Sequence, residues 1–348
     1  MSEIASTMRG VHLTGHGDLD RLQFRDDIPV PHPGPGDVLI RVAAAGVNNT
    51  DINTRLAWYS KKDGAGEDAT WSGEPLAFPR IQGIDACGEI VAVGEGVAAE
   101  RVGERVLVEP CLREANGVEL AQPWFLGSEC DGGFAEYCRV AARHAWRIDC
   151  ALTDVELASF PCSYSTAENM LVRSRVTVGD RVLVTGASGG VGSAAVQLAK
   201  ARGAEVVAVT SPAKASALEQ LGADRAISRQ EDLVQTLGSN GVDVVLDLVA
   251  GDQWPNFLEV LRPGGRYAVA GAVAGPIVSL DVRTLYLKDL SLFGCTALEP
   301  ETFPNLIRVI EEQRIAPIVA EAFPLEEIAK AQTVFAEKNY IGKLVLEI

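Results

Sequence analysis

The apolar positions change rhythm once along the chain, and the change divides it in two. Up to about Ala145, short apolar stretches such as Asp37–Ala45, Gly88–Val93, Arg105–Val108 and Phe134–Val140 are separated by glycine- and proline-rich turns, among them Gly34-Pro35-Gly36 and Asp131-Gly132-Gly133. Brief strands punctuated by turn residues read as a compact, irregular β unit. After Pro161 the pattern becomes strand, helix, strand: the β-branched run Arg181–Thr185, helical apolar spacing over Val191–Arg202, then Glu205–Thr210. The alternation continues through helix Ala213–Leu221, the short strand Ala226–Ile227, helix Leu233–Leu237, strand Val242–Leu248, helix Trp254–Leu261 and strands Arg266–Ala270 and Leu290–Gly294. Such alternation predicts an α/β fold, a doubly wound parallel sheet with right-handed crossovers. Helices Pro304–Gln313 and Glu326–Glu337 and strand Lys343–Glu347 leave the alternation, and the last strand could rejoin the first unit.

Length and charge narrow the function classes. The 348 residues favour two domains or one large α/β unit, with room for a sizeable core. Asp and Glu number 47 against 31 Lys and Arg, a net charge of −16 that disfavours nucleic acid and anionic membranes as partners. No apolar run approaches the ~20 residues of a spanning helix. The N-terminus lacks a basic segment followed by an apolar core, so a cytoplasmic location is expected. Seven cysteines, odd in number and scattered, read as reduced thiols.

The strongest chemical signal is Gly186-Ala187-Ser188-Gly189-Gly190-Val191-Gly192, set between a strand and a helix. Small residues there let the backbone approach a pyrophosphate, whose charge the helix N-terminus stabilises, whereas the glycine motif alone would mark only a tight turn. The next strand ends at Ser211 with no Asp or Glu to accept from a ribose 2′-hydroxyl. Ser211, Lys214 and Arg229 instead offer a hydroxyl and two cations, which suit a 2′-phosphate, so the expected cofactor is NADP(H). The bland alternative is that Lys214 opens a solvated helix face.

Several segments resemble the medium-chain dehydrogenase/reductase superfamily over nearly the whole chain: Ala43–Asp51, Gly83–Gly94, Gly179–Gly192, Leu221–Asp224 and Gly342–Leu346. The resemblance implies a GroES-like, mostly β catalytic domain at 1–155 completed by 305–348, around a Rossmann domain at 156–304. It also implies a homodimer joined near Leu290–Gly294, and cofactor contacts at Thr166, Leu248, Val249, Gly271, Ala272 and Lys343. Zinc enzymes of the superfamily carry ligands at positions that here hold Asn48, Ile84 and Cys162. An isoleucine supplies no donor and the chain has no C-x-x-C pair, so no metal is expected. Cys162 then reads as a small hydrophobe or, as the lesser alternative, a reactive thiol.

Asn48 is similar to the asparagine of the quinone oxidoreductase and zeta-crystallin branch, which is zinc-independent. Its amide could orient a substrate carbonyl or the nicotinamide ribose, or it could cap the helix that follows. Tyr59 is a candidate proton donor or else part of an apolar wall with Trp58 and Trp71. Asp51 and Arg55 are spaced for an intrahelical ion pair, and Asp85 for buried scaffolding. The turn-rich stretch 57–77, with Lys61, Lys62, Gly64, Gly66 and Trp71, and the segment 112–129 are candidate walls of a substrate site. The expected function is NADPH-dependent hydride transfer to a quinone or α,β-unsaturated carbonyl, a small-molecule substrate. The alternatives are an alcohol/aldehyde dehydrogenase with an atypical metal site, or a crystallin-like NADPH-binding protein without turnover.

Overall fold

The computed structural model describes residues 4–60 and 75–348. Two compact units emerge: one takes in the chain up to Cys162 with Pro317–Asn339 and Lys343–Ile348, the other Ser163–Ala316 with Tyr340–Gly342. Among the described residues, no helix is long and apolar enough to cross a membrane.

In the first unit, β1 (Thr7–Leu13), β2 (Leu22–Pro29) and β3 (Asp37–Val47) precede helix α1 (Asn49–Arg55). Then come β4 (Arg80–Ile81), β5 (Cys87–Val93), β6 (Arg105–Val108), β7 (Cys111–Ala115), β8 (Val118–Phe125), β9 (Tyr137–Ala141), β10 (Ala145–Arg147) and α2 (Asp154–Leu157). Strand β3 is the hub, antiparallel to β5 and to β9, and its Val38, Ile40, Val42 and Ala44 are buried. The wall expected over 112–129 is the β7–β8 hairpin, with Leu112 opposite Trp124. His144 anchors it: its Nε2 accepts the Arg113 amide at 3.0 Å and its Nδ1 faces Glu109 at 3.2 Å. The other expected wall lies outside the described residues for most of its length, Lys61, Lys62, Gly64, Gly66 and Trp71 included.

Helix α3 (Pro161–Arg173) leads into β11 (Arg181–Val184), α4 (Gly190–Ala201), β12 (Glu205–Thr210), α5 (Ala215–Gln220), β13 (Arg225–Ser228), α6 (Leu233–Leu237) and β14 (Val242–Asp247). There follow α7 (Trp254–Val260), β15 (Leu261–Val269), α8 (Val282–Leu287), β16 (Ser291–Gly294) and α9 (Thr302–Glu311). The sheet runs β13-β12-β11-β14-β15-β16 with every neighbour parallel, the Rossmann order in which direction reverses between β11 and β14. Its strands are continuous apolar runs because helices cover both faces. Val182, Leu183, Val184, Val244, Val245 and Leu246 are all fully buried.

The chain ends with β17 (Val319–Pro324), α10 (Ile328–Glu337) and β18 (Lys343–Glu347). Strand β18 pairs antiparallel with β3, Leu344 opposite Val47 and Val345 opposite Gly46, so the last strand is a central member of the first unit's sheet. Helix α9 belongs to the second unit, which places the crossing back near Ala316 rather than at 304/305.

Candidate functional site

The second unit contains a turn shaped for a dinucleotide. Gly186 has φ +56°, a conformation glycine adopts without penalty. An added Cβ on Gly192 would lie 2.3 Å from the Gly186 carbonyl oxygen and 2.6 Å from Ala187 Cα, so only glycine lets α4 start this close to β11. Gly189 caps α4 without a side chain, and the first-turn amides at 190–192 have no helical acceptors. These amides at the positive end of the helix fit a pyrophosphate. A dinucleotide therefore fits this turn.

Except for Thr166, the other expected cofactor residues of this unit follow the C-terminal ends of its strands. Val249 covers Gly186, whose added Cβ would meet Val249 Cγ2 at 3.2 Å. The loops after β14 and β15 are tied together, Ala274 N–H donating to the Val249 carbonyl at 2.9 Å, and a Cβ on Gly271 would lie 2.8 Å from the Leu248 carbonyl oxygen. Ala272 lies in the same turn, its carbonyl accepting the Gly275 amide at 3.0 Å. Thr166 is half-buried on α3, and Ser211 is half-buried directly after β12. Lys214 Nζ donates to the Tyr340 carbonyl at 2.7 Å. Burial and then the nearby Arg229 cation both press the Lys214 pKa down from its ordinary value. Among the described residues, Arg229 forms no ion pair with a carboxylate and is exposed, its amide held by the Thr210 carbonyl at 2.9 Å.

Four residues behind this surface, Asp247, Thr185, Tyr267 and Ala250, escaped sequence reasoning. Asp247, fully buried, accepts from Thr185 Oγ1 at 2.5 Å, from Tyr267 OH at 2.5 Å, from the Val249 amide at 2.8 Å and from the Ala250 amide at 3.1 Å. Ala250 sits at φ +53°, ψ −134°, a strained conformation for a residue with a side chain. Asp247 thus fixes the loop that presents Leu248 and Val249. The acid at the C-terminal end of an apolar strand was the available signal.

In the first unit, α1 and β18 assemble a buried polar cluster. Asn48 N–H donates to Asp51 Oδ2 at 2.8 Å, the reciprocal half of a helix-capping arrangement. Asn48 Nδ2 donates to Asp85 Oδ2 at 2.8 Å and to the Gly46 carbonyl at 3.1 Å, while Asn48 Oδ1 accepts from Lys343 Nζ at 2.5 Å. Lys343 Nζ also pairs with Asp85 Oδ2 at 2.9 Å, and Asp85 Oδ1 accepts the Cys162 amide at 2.6 Å. Asn48, Lys343 and Asp85 are 5%, 3% and 0% exposed. Gly46 makes the room, because a Cβ there would lie 2.4 Å from Asp85 Oδ2.

This arrangement shows where the expected residues of the first unit lie, and it corrects one expectation. The Asn48 side chain binds Asp85, the Gly46 carbonyl and Lys343, so it organises the cluster. Lys343, expected from the resemblance at the cofactor, pairs with Asp85 and Asn48 inside the first unit. Asp51 does not form the intrahelical pair with Arg55, because each side chain is taken by another partner: Asp51 accepts the Asn48 amide, and Arg55 donates to Gln332 Oε1 at 3.0 Å and to the Gly17 carbonyl at 2.5 Å. Cys162 is half-buried.

Burial pushes the Asp51 carboxyl up to about 7, with Asp85 adding to the rise and the Asn48 amide and Lys343 opposing it. Tyr59 follows α1, its hydroxyl 3.5 Å from Asn53 Nδ2 and its ring edge-on to Trp58 at 5.4 Å. Burial raises the Tyr59 pKa above its ordinary value, offset in part by hydrogen bonds with Thr50 and Asn53, which keeps the phenol protonated at neutral pH.

Comparison with known proteins matches residues 34–149 to an alcohol dehydrogenase GroES-like domain and residues 190–312 to a zinc-binding dehydrogenase domain. The chain is 30% identical to the quinone oxidoreductase of Rattus norvegicus, with 97% of each chain covered. It is also 30% identical to the acryloyl-coenzyme A reductase of Metallosphaera sedula, over 97% of this chain and 99% of that one. A solved structure of an alcohol dehydrogenase candidate from Sinorhizobium meliloti superposes with TM-score 0.93 at 47% identity, covering 100% of this chain and 98% of the other.

The second domain description implies zinc, and the donor set does not fit it. Ile84 offers no ligand, and the neutral Asn48 amide already binds an ammonium. Among the described residues, no three His, Cys, Asp or Glu side chains converge as a metal set.

Proposed function

Because the chain belongs to the medium-chain dehydrogenase/reductase superfamily and is one of its oxidoreductases, we propose that it is a zinc-independent, NADPH-dependent reductase of quinones or α,β-unsaturated carbonyl compounds. The observation that supports this reading is the donor set of the first unit: Ile84 offers no donor, and the Asn48 amide is engaged by Lys343 and Asp85. A metal worth several kcal/mol of carbonyl polarisation is missing from the chemistry, so conjugated acceptors are favoured. In these, hydride adds to carbon, and the charge that develops on oxygen needs only hydrogen bonds and a proton. Quinones and acryloyl groups share that conjugated carbonyl.

NADPH would supply the hydride when bound. The turn at Gly186–Gly192 binds its pyrophosphate through backbone amides, and Ser211, Lys214 and Arg229 hold the 2′-phosphate. Two adjacent cations with no acid at the end of β12 support NADPH over NADH. Asp247 keeps Leu248 and Val249 in place. Tyr59, protonated at neutral pH, serves as the proton donor to the acceptor oxygen. A homodimer is part of this reading: β16 is an edge strand of the second unit's sheet among the described residues, and Leu292 on it and Val282, Tyr286 and Leu287 on the preceding helix α8 are exposed. A second copy pairing there would cover them, which light scattering after gel filtration tests. The composition suits a cytoplasmic location.

The test of the reaction is NADPH oxidation by chelator-treated, metal-assayed protein with quinones, enones and simple aldehydes, NADH run in parallel. Turnover of conjugated acceptors without metal, NADPH preferred, supports the proposal. Activity confined to alcohols and aldehydes and lost with a bound metal overturns it, and tight NADPH binding without turnover on any acceptor identifies a binding protein.

A further inference from the structure

The dinucleotide turn of the second unit is bridged to Lys214 by chain from the far end of the sequence. Tyr340–Gly342 returns to this unit between stretches that belong to the first. Its Gly342 N–H faces the Ser188 carbonyl at 3.4 Å, and its Tyr340 carbonyl accepts from Lys214 Nζ at 2.7 Å. We infer that this segment is a strap that holds the Lys214 ammonium beside Arg229 for a phosphomonoester dianion, which makes Tyr340 a positioning residue for the preference for a 2′-phosphorylated cofactor. The inference rests on the reading of Lys214 as a 2′-phosphate ligand and assigns what keeps that ligand in place.

Strand register brings the two cations together. Thr210 and Ser228 lie opposite one another in the parallel β12–β13 pair, so Ser211 and Arg229 leave the sheet side by side. The Arg229 amide donates to the Thr210 carbonyl at 2.9 Å, which fixes where that residue departs. Pro212–Lys214 forms one tight helical turn, closed by the Lys214 amide on the Ser211 carbonyl at 3.0 Å, and it keeps Lys214 close to the same strand ends. Arg229 is exposed and Lys214 half-buried, near enough that the guanidinium adds to burial in lowering the Lys214 pKa.

Two obstacles oppose such a pair of cations: they repel each other, and a long lysine side chain loses rotamer freedom when it is held. The strap answers both. A carbonyl oxygen is a good acceptor for an ammonium yet carries no net charge, so it directs Nζ without neutralising it, whereas a carboxylate in its place would do both at once. An ammonium has three donors, so the bond to Tyr340 is compatible with bonds to phosphate oxygens. The strap itself is pinned. Tyr340 is half-buried, with burial raising its phenol pKa above the ordinary value, and Gly342 is buried at φ +88°, a conformation that favours glycine. A phosphate dianion gains from an ammonium ordered in advance, and an uncharged 2′-hydroxyl gains little.

The experiment titrates wild-type protein, Tyr340→Gly, Lys214→Ala and the double variant with 2′,5′-ADP and with 5′-AMP, probes that differ only in the 2′-phosphate. Tyr340→Gly removes the ring that pins the strap. It is expected to weaken 2′,5′-ADP roughly 2–12-fold, the ordering cost of one long side chain, and to leave 5′-AMP unchanged. In the Lys214→Ala background the same substitution should cost 2′,5′-ADP nothing further, because the side chain it positions is gone. In the cofactor-free protein, acetic anhydride should acetylate Lys214 faster in Tyr340→Gly than in the wild type, with Lys200, which pairs with Asp224, as the internal reference in peptide mass spectrometry. Equal losses for the two probes, independent effects in the double variant, or unchanged acetylation overturn the inference. If Tyr340→Gly does not fold, a chain with an ester in place of the 340–341 peptide bond decides, since an ester carbonyl is the weaker acceptor: selective weakening of 2′,5′-ADP supports the strap, and unchanged affinity overturns it. Should Lys214→Ala weaken both probes alike, the 2′-phosphate reading itself fails and takes the inference with it. A selective Lys214→Ala beside a non-selective Tyr340→Gly leaves that reading standing and sinks only the strap.

Discussion

Replacing glycine by alanine at two positions of one turn separates the sterics of the fold from those of the ligand. At Gly192 the added Cβ would meet only backbone, 2.3 Å from the Gly186 carbonyl oxygen, 2.6 Å from Ala187 Cα and 2.9 Å from Ala187 C. No side chain can rotate away, so the start of α4 must move by about 1 Å to reach ordinary contact. Overpacking of this kind costs about 1–3 kcal/mol, and a clash with backbone alone belongs at the upper end. For a unit of this size each kcal/mol shifts the melting temperature by about 2–4 °C, so Gly192→Ala should melt roughly 6–12 °C lower without cofactor. Gly189 has φ −76° and ψ 172°, which any residue adopts, and its added Cβ would meet only the Gly186 oxygen at 3.6 Å. Gly189→Ala should therefore cost at most about 1 kcal/mol, the price of an alanine cap. It should still weaken NADPH binding by roughly tenfold, about 1.4 kcal/mol, because a methyl then rims the turn that a pyrophosphate approaches. Calorimetric melting of the cofactor-free proteins and titration calorimetry with NADPH measure both effects. The steric reasoning fails if Gly192→Ala melts within about 2 °C of the wild-type protein, or if Gly189→Ala is the more destabilised of the two.

Lys214→Ala should raise the NADPH dissociation constant roughly 10–150-fold, the worth of a hydrogen bond to a charged group, and leave NADH nearly unchanged; equal losses for both would remove its 2′-phosphate role. Tyr59→Phe should cut kcat by about 100-fold with enones while cofactor affinity holds, and unchanged turnover would assign the proton to another donor. The Asp51 carboxyl titrates near 7 in the folded chain against about 3.9 unfolded, so its contribution to stability is present below pH 4 and is lost as pH rises towards 7. Urea unfolding should show Asp51→Asn flattening that decline, which amounts to at most about 1.4 kcal/mol per pH unit; a variant profile parallel to the wild type would refute the assignment.

The sequence by itself determined the architecture of the second unit and the chemistry of its turn. Continuous apolar strands alternating with helical spacing could satisfy their hydrophobic faces only as a parallel sheet, and Gly186–Gly192 carried its meaning locally because a strand, a tight turn and a helix follow one another there. Local pattern failed wherever a contact spans the chain. Nothing near residue 48 announces that its partner lies 295 positions away at Lys343, and the helical spacing of Asp51 and Arg55 suggested an intrahelical ion pair where Asn48, Gln332 and Gly17 take the two side chains instead. Asp247 likewise read as the end of a strand until Thr185, Tyr267 and the strained Ala250 were seen to converge on it. Spacing along an element fixes which face a residue occupies; which charge meets which across a buried cluster is decided by strand register and by the cost of leaving any one of them unpaired, and those exist only once the chain has folded.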